Sequence, residues 1–189
     1  MTPGIEEDKT FTKIKAEDIA GVQTFENCRF TYCDFSYANF AEKLFIDCQF
    51  EDCNLSLAGV NNTGLQNITF KRCKLSGVNF AKSRDFSFEM HFDNCILDNA
   101  VFYKKKNKKA LFKDCSLVET DFTEADLTDT KFDNCNLNRA FFDRTVLKNA
   151  DLSTSYNFII DPDNNDIKKA KFSVHGLAGL LAKYDIRII

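Results

Sequence analysis

The sequence predicts a single all-β domain built as a four-sided solenoid, and three observations predict it. Large apolar residues recur every five positions, as in FENCRFTYCDFSYANF. Cysteines recur at intervals of twenty, and the positions between the apolar residues are mostly polar. A chain of 189 residues can bury one sizeable core, and a hydrophobic share of 44% excludes a wholly disordered protein.

The five-residue period holds along most of the chain. If the large apolar residue is the centre of each pentad, centres fall every five residues over 25–80 and again over 92–152. All of them are Phe or Leu except Val60 and Asn107. The position two residues before each centre is usually small, and it holds all eight cysteines: Cys28, Cys33, Cys48, Cys53, Cys73, Cys95, Cys115 and Cys135.

A period of five fits neither an α-helix nor a straight strand. In a helix, successive centres would step by about 140° and spread over the whole surface. In a straight strand they would alternate between the two faces. A chain that turns after each pentad points every centre inward, and the small residue two positions earlier shares that face. Coils of such a chain stack into a solenoid.

Spacings of twenty give the number of sides. Cys95 and Cys115 are twenty residues apart, as are the centres Phe92 and Phe112. Twenty residues per coil and five per side make a quadrilateral. Stacked coils place equivalent Cβ atoms about 4.8 Å apart, beyond the 3.5–4.5 Å that a disulfide prefers. We therefore interpret the cysteines as small, reduced, buried side chains rather than as disulfides or metal ligands, and we expect no cofactor.

Catalytic motifs are missing from the sequence. Neither His91 nor His175 lies in a Ser/His/Asp or HExxH pattern, and there is no phosphate-binding glycine loop. We therefore predict a protein that is not an enzyme. A net charge of −3 argues against direct nucleic-acid binding. No apolar run is long enough to cross a membrane, and the start MTPGIEEDKTFTK lacks the apolar stretch of a secretory signal, so we expect a cytoplasmic protein.

Two interruptions divide the predicted repeat, which spans 23–156 after an N-terminal cap or flexible segment over 1–22. The first is a break near 81–91, where the chain has two residues too many. It is either a tolerated insertion with Phe86 or Phe88 folded back, or a partner-binding loop. The second is the basic run near 103–110. There Lys105 and Asn107 replace the inward pair, and because a buried unpaired lysine is costly we expect this side to open outward as a basic bulge.

The tail over 157–189 leaves the repeat. Asp161-Pro162 indicates a turn, after which Val174, Leu177, Leu180, Leu181 and Tyr184 share one face of a short predicted helix. A small strand is expected over 186–189. The open end of a solenoid core needs a cover, and the surplus of apolar residues suits a two-fold dimer.

Several pentads carry a family resemblance. YANFA, EADLT and NADLS (37–41, 124–128 and 149–153) are similar to the pentapeptide-repeat consensus A(D/N)LXX. The resemblance implies a right-handed quadrilateral β-helix. Length, the break, the IDPDNN segment and the closing helix and strand resemble the branch that holds the Qnr quinolone-resistance proteins and the microcin-immunity protein McbG.

That resemblance implies a function and its surfaces. Proteins of this branch dimerise through the C-terminal element and protect DNA gyrase or topoisomerase IV, with a negatively charged, DNA-like rod as the proposed basis. Carried over, the homodimer contacts would be Phe172, Leu177, Leu180, Leu181, Tyr184, Ile186 and Ile188. The loop contacts with the topoisomerase would be Ser83, Arg84, Asp85, Phe86, Phe88 and Glu89. An acidic band could follow a DNA-binding groove: Asp114, Glu119, Asp121, Glu124, Asp126, Asp129 and Asp133.

Two function hypotheses follow. The first is a DNA-mimicking protein that binds a type II topoisomerase and protects it against quinolones or gyrase-targeting toxins. The second is a protein-interaction scaffold with another partner and no effect on topoisomerases. A continuous negative stripe along the rod favours mimicry, whereas a patchwork of charge favours the scaffold.

Overall fold

The computed structural model describes residues 4–187, which form short strands joined by tight turns. The strands are β1 (Gly4–Glu7), β2 (Thr10–Thr12), β3 (Val22–Glu26), β4 (Arg29–Thr31), β5 (Leu44–Ile46), β6 (Gln49–Glu51), β7 (Gly64–Gln66), β8 (Ile68–Lys71), β9 (Met90–Asp93), β10 (Leu111–Lys113) and β11 (Lys131–Asp133). The helical elements are α1 (Leu177–Leu181) and 3-10 turns at Ala16–Ile19, Phe80–Lys82, Val174–Gly176 and Ala182–Tyr184.

The strands stack in parallel as the walls of a solenoid. One wall is a seven-stranded sheet in the order β2-β4-β6-β8-β9-β10-β11, and the next is a four-stranded sheet in the order β1-β3-β5-β7. Isolated parallel pairs continue the stacking on all sides. Phe92 lies opposite Phe112, which lies opposite Phe132, so the register is twenty residues. The predicted all-β quadrilateral β-helix is confirmed.

The core is a set of aromatic columns. Phe92, Phe112 and Phe132 are buried, and their rings stack at centroid distances of 5.0 Å. Neighbouring columns meet edge-on, as Phe102 and Phe112 do at 6.0 Å. Both arrangements are favourable for aromatic rings, and each buried Phe stabilises the fold by about 1.5–3 kcal/mol.

Each corner of the coil is a turn in the left-handed region. Asn94, Asn99, Lys104 and Lys109 all have φ between 54° and 60°, two residues after a centre. Asn and Asp adopt this conformation more readily than other non-glycine residues, which accounts for their abundance at the second position after a centre. The corner positions therefore carry the five-residue period as strictly as the Phe centres do.

The cysteines line the inside of the wall, as predicted from their position. Six of them form one continuous column along the rod: Cys33, Cys53, Cys73, Cys95, Cys115 and Cys135. All eight are free and buried, and the thiols donate to backbone carbonyls, as Cys48 Sγ does to Ile46 O at 3.2 Å. Burial raises the pKa of Cys48 to about 12, so this thiol stays protonated at neutral pH.

The repeat wall extends further than the predicted 23–156. Strands β1 and β2 pair with β3 and β4, so the segment expected to be a cap or flexible already belongs to the first coil. At the other end, Val146 pairs with Asp166 and Asp151 with Lys171. The side chains at these ends depart from the repeat consensus, yet their backbones pair as the rest of the wall does.

A short helical cap covers the C-terminal end. Gly179 lies so close to Phe158 that an added Cβ would come within 2.1 Å of its carbonyl oxygen. Ile160 N donates to Gly179 O at 3.1 Å, and Lys183 Nζ contacts Asp161 Oδ1 at 2.5 Å. The predicted helix is thus one α-turn flanked by 3-10 turns. The strand expected over 186–189 is not formed by Ile186 and Arg187, and residues 188 and 189 lie outside the described part of the chain.

Candidate partner-binding site

The break in the repeat forms a loop, Ser83–Glu89, in one wall of the rod. It takes the place of a strand next to β7 on the wall that also carries Asn107 and Leu127. Arg84 N donates to Thr63 O at 2.9 Å, and Glu89 N donates to Leu65 O at 3.3 Å. Both ends of the loop are therefore tied to the coil before it, and Asp85, Phe86 and Ser87 between them are exposed.

A buried lysine holds the loop from the coil that follows. Lys105 is only 1% exposed, and its Nζ donates to Ser83 O at 2.6 Å and to Asp85 Oδ1 at 2.7 Å. The ammonium also lies 4.9 Å from the centroid of the Phe88 ring, within cation–π range. The predicted outward basic bulge near 103–110 is therefore wrong. Lys105 stays inside because the loop supplies a carboxylate and a carbonyl that pair with the buried charge.

Asn107 makes the second attachment. This residue, which replaces a Phe or Leu centre, is fully buried. Its Oδ1 accepts a hydrogen bond from Met90 N at 2.9 Å, and its Nδ2 donates to Met90 O at 3.2 Å. The side-chain amide of Asn107 thus makes the two hydrogen bonds to the Met90 backbone that a neighbouring strand would otherwise make, at the point where the loop ends and β9 begins. The sequence shows Lys105 and Asn107 as exceptions to the inward-pointing pair of the repeat, but it does not predict that they anchor the loop and the strand after it. Their position one coil after the break was the available signal.

The two loop aromatics have opposite environments. Phe88 is 6% exposed and packs 6.5 Å from the Phe80 ring, whereas Phe86 is 75% exposed. Of the two residues considered for folding back, Phe88 does so. Ser83 is also buried, and its Oγ donates to Phe80 O at 2.7 Å. The outer surface of the loop is therefore carried by Asp85, Phe86 and Glu89, with Arg84 directed toward Glu42 at 3.3 Å.

The acidic band does not form one surface. Its members flank five successive centres, from Phe112 to Phe132, so they are distributed around the rod on all four sides: Asp114, Glu119, Asp121, Glu124, Asp126, Asp129 and Asp133. Three of them pair with bases of a neighbouring coil, Glu119 with Arg139 at 3.1 Å, Glu124 with Arg144 at 3.1 Å, and Asp126 with Lys108 at 3.0 Å.

Other members of the band are neutralised or hydrogen-bonded locally. Lys131 Nζ donates to Asp133 at 2.8 Å, and Asn134 Nδ2 donates to Asp114 at 2.7 Å. Hydrogen bonds from Arg144 lower the pKa of Glu124. The expectation that the band follows a single groove is therefore not met, because its charge is a patchwork around one coil.

The candidate dimer residues divide into two groups. Phe172 and Leu180 pack against the core, and Leu181 is half-buried. Leu177, Tyr184 and Ile186 are exposed, together with Val174. Ile188 lies outside the described residues. The cap therefore covers the core with one face and leaves an apolar face at the end of the rod.

His91, one of the two histidines, has a structural role in the wall. His91 Nδ1 accepts a hydrogen bond from Leu111 N at 3.2 Å, which makes it part of the wall. Within residues 4–187, no group of His, Cys, Asp or Glu side chains is arranged to hold a metal ion. None of the helices in that part of the chain has the length and apolar character that crossing a bilayer requires.

Comparisons with known proteins agree with the architecture. The family model described as a pentapeptide repeat region matches residues 23–89 and 86–156. No curated protein sequence matches the chain. Full-length QnrB1, a plasmid-mediated fluoroquinolone resistance protein, is similar in structure with a TM-score of 0.63 at 18% identity, covering 97% of this chain and 100% of that one.

A second similar structure is HetL, from the cyanobacterium Nostoc, a pentapeptide-repeat protein involved in heterocyst differentiation regulation. It covers 89% of this chain and 87% of its own, with a TM-score of 0.47 and 13% identity. The repeat in the sequence, the four-sided wall and the family match over 23–156 lead to one conclusion: the chain belongs to the pentapeptide-repeat family.

Proposed function

We propose that this protein is a non-enzymatic binding rod that engages a type II topoisomerase, DNA gyrase or topoisomerase IV, through the 83–89 loop. The observation that carries the proposal is the anchored loop. Lys105 holds the seven-residue loop from inside and Asn107 holds Met90, the residue that follows the loop, while Phe86 is exposed to solvent. An exposed aromatic residue on a fixed loop is typical of a binding hot spot.

The choice of partner is supported by the fold. The rod aligns with QnrB1 along the whole of that chain, and QnrB1 is a fluoroquinolone resistance protein. Quinolones act on type II topoisomerases, so protection of the enzyme is the activity to test. The distributed, paired acidic residues favour contact through the loop over imitation of a DNA duplex.

The second candidate function is a scaffold with a different partner. The patchwork of charge favours it, because nothing in such a surface is particular to a DNA-binding enzyme. Under this hypothesis the loop still binds a protein, and topoisomerases are unaffected.

A supercoiling assay distinguishes the two. Purified gyrase is assayed with a quinolone in the presence of the wild-type protein, of Phe86→Ala and of Phe141→Ala, whose ring is exposed on another side of the rod. We expect protection by the wild type and by Phe141→Ala, and reduced protection by Phe86→Ala. If micromolar wild-type protein gives no protection, the topoisomerase proposal is wrong and the scaffold hypothesis remains.

A further inference from the structure

We propose that the partner presents an acidic surface with an apolar pocket, and that it docks on a patch formed by Phe86, Lys106 and Lys109. This inference rests on the proposed function, in that it assumes a protein partner for the 83–89 loop. It specifies the chemistry of that partner and which residues outside the loop contribute to recognition.

The lysines belong to the wall segment stacked on the loop. Lys105 and Asn107 of this segment point inward, where Lys105 binds the loop and Asn107 binds Met90 just after it, so the residues between and after them point outward. Lys106, Lys108 and Lys109 are exposed accordingly. The backbone of Lys106 pairs with Asp126 in the next coil, which keeps this segment in the regular wall. The basic run is thus a fixed surface on the same side of the rod as Phe86.

Charge pairing separates these lysines into two kinds. Lys108 contacts Asp126 at 3.0 Å and Lys104 contacts Glu124 at 3.5 Å. Lys106 and Lys109 have no carboxylate within 4 Å among residues 4–187. Asp85, the acidic residue next to Phe86, already contacts the buried Lys105 at 2.7 Å. Glu89, the other acid of the loop, contacts His91 at 3.3 Å. The two lysines without an ion-pair partner outnumber this glutamate, so the net charge beside the exposed ring is positive, although the whole chain carries −3.

The chemistry of this patch favours an acidic polypeptide. An exposed aromatic ring gains most from entering a desolvated pocket, and flanking charges guide the encounter and fix its register. A nucleic acid fits less well, because two lysines without an ion-pair partner allow few phosphate contacts. A protein surface can place carboxylates opposite Lys106 and Lys109 and leave room for Asp85.

The sequence allows a direct test, because it contains no Trp. A Phe86→Trp variant puts one indole at the tip of the loop, and its fluorescence reports burial of that residue. The probe is a short peptide of Glu and Leu residues. We expect a saturable blue shift on addition of the peptide. The affinity for the peptide should fall roughly tenfold or more when Lys106→Glu and Lys109→Glu are added. Lys148→Glu with Lys169→Glu, exposed on the same side further along the rod, is the matched control and should leave binding unchanged.

Three outcomes would overturn the inference. They are no shift with the Glu/Leu peptide at low salt, an affinity that the Lys106 and Lys109 reversals leave unchanged, and a response to a duplex oligonucleotide in place of the peptide. The assay contains no topoisomerase, so its failure is distinct from that of the proposed function. Measuring gyrase binding with the same charge-reversal variants completes the separation, because gyrase that binds both forms equally supports the enzyme as partner and contradicts the acidic docking surface.

Discussion

Buried polar residues mark the places where the wall is irregular. Lys43, like Lys105, lies two residues before the centre of a pentad, and its side chain points inward. Its Nζ donates to Ile19 O at 3.1 Å and to Ala20 O at 3.3 Å, where the 3-10 turn of the first coil replaces regular wall. Burial lowers the pKa of Lys43. In both cases a long cationic side chain satisfies carbonyl groups that would otherwise be satisfied by a neighbouring strand.

Replacing Lys105 should release the loop. Lys105→Met keeps an unbranched chain but removes the donor to Ser83 O and Asp85, and we expect a loss of about 1–3 kcal/mol in unfolding free energy. Hydrogen exchange of the amides over 84–90 should accelerate. Lys106→Met, a change at the exposed neighbour, should alter stability by no more than about 0.5 kcal/mol. Unchanged exchange in Lys105→Met would show that the ammonium does not hold the loop.

Glu51 gives a pH-dependent prediction. Hydrogen bonds from Arg29 and Arg72 lower its pKa below the ordinary 4.5. A carboxyl with a lowered folded-state pKa contributes stability above its unfolded pKa and loses it as the pH falls through the folded-state value. Glu51→Gln should therefore unfold at a lower urea concentration than the wild type at neutral pH. The two curves should converge near pH ~2, where the carboxyl is protonated in both states. A difference that persists there would exclude the charge as its source.

At the scale of elements, the sequence predicted the walls better than their interruption. Phe92, Phe112 and Cys115 lie where the period put them, because burial inside a narrow coil admits one arrangement of a strict repeat. The sequence predicts where the loop lies but not how it is attached. The cost of burying Lys105 depends on a carbonyl and a carboxylate group some twenty residues earlier in the chain. The acidic band looked continuous along the chain, yet each pentad turns a corner and moves its charge to another side.

We expect substitutions of the two loop phenylalanines to have opposite effects, one on stability and the other on partner binding. Phe88→Ala removes a ring that packs on Phe80 and Lys105, and we expect it to destabilise the protein by about 3–5 kcal/mol. Phe86→Ala changes an exposed side chain and should stay within about 0.5 kcal/mol of the wild type while weakening partner binding. Urea unfolding measures the first effect and the gyrase assay the second. If both variants are equally stable, the loop is not packed against the core.

At the scale of the whole molecule, the C-terminal end of the rod combines a tightly packed cap with an exposed apolar face. The C-terminal cap uses Gly176 and Gly179 for close contact with Phe158, where no Cβ could be accommodated. Packing the cap this tightly leaves its opposite face free. Val174 is 81% exposed, Leu177 is 44% exposed and Tyr184, further along the cap, is 55% exposed. An end-to-end contact between two copies through this face would leave the four sides of each rod free.

We therefore expect a homodimer formed through the cap. Light scattering should give about twice the monomer mass of 21.6 kDa, because burying this face in an isologous contact removes it from water. Val174→Asp with Leu177→Asp should give monomers, since both carboxylates would enter the interface. Tyr37→Asp, at an exposed aromatic residue on the wall, should remain dimeric. A mass near that of the monomer, unchanged with protein concentration, would contradict the dimer. The 83–89 loop would then bind its partner as part of a monomer, since its attachment to the wall does not involve the cap.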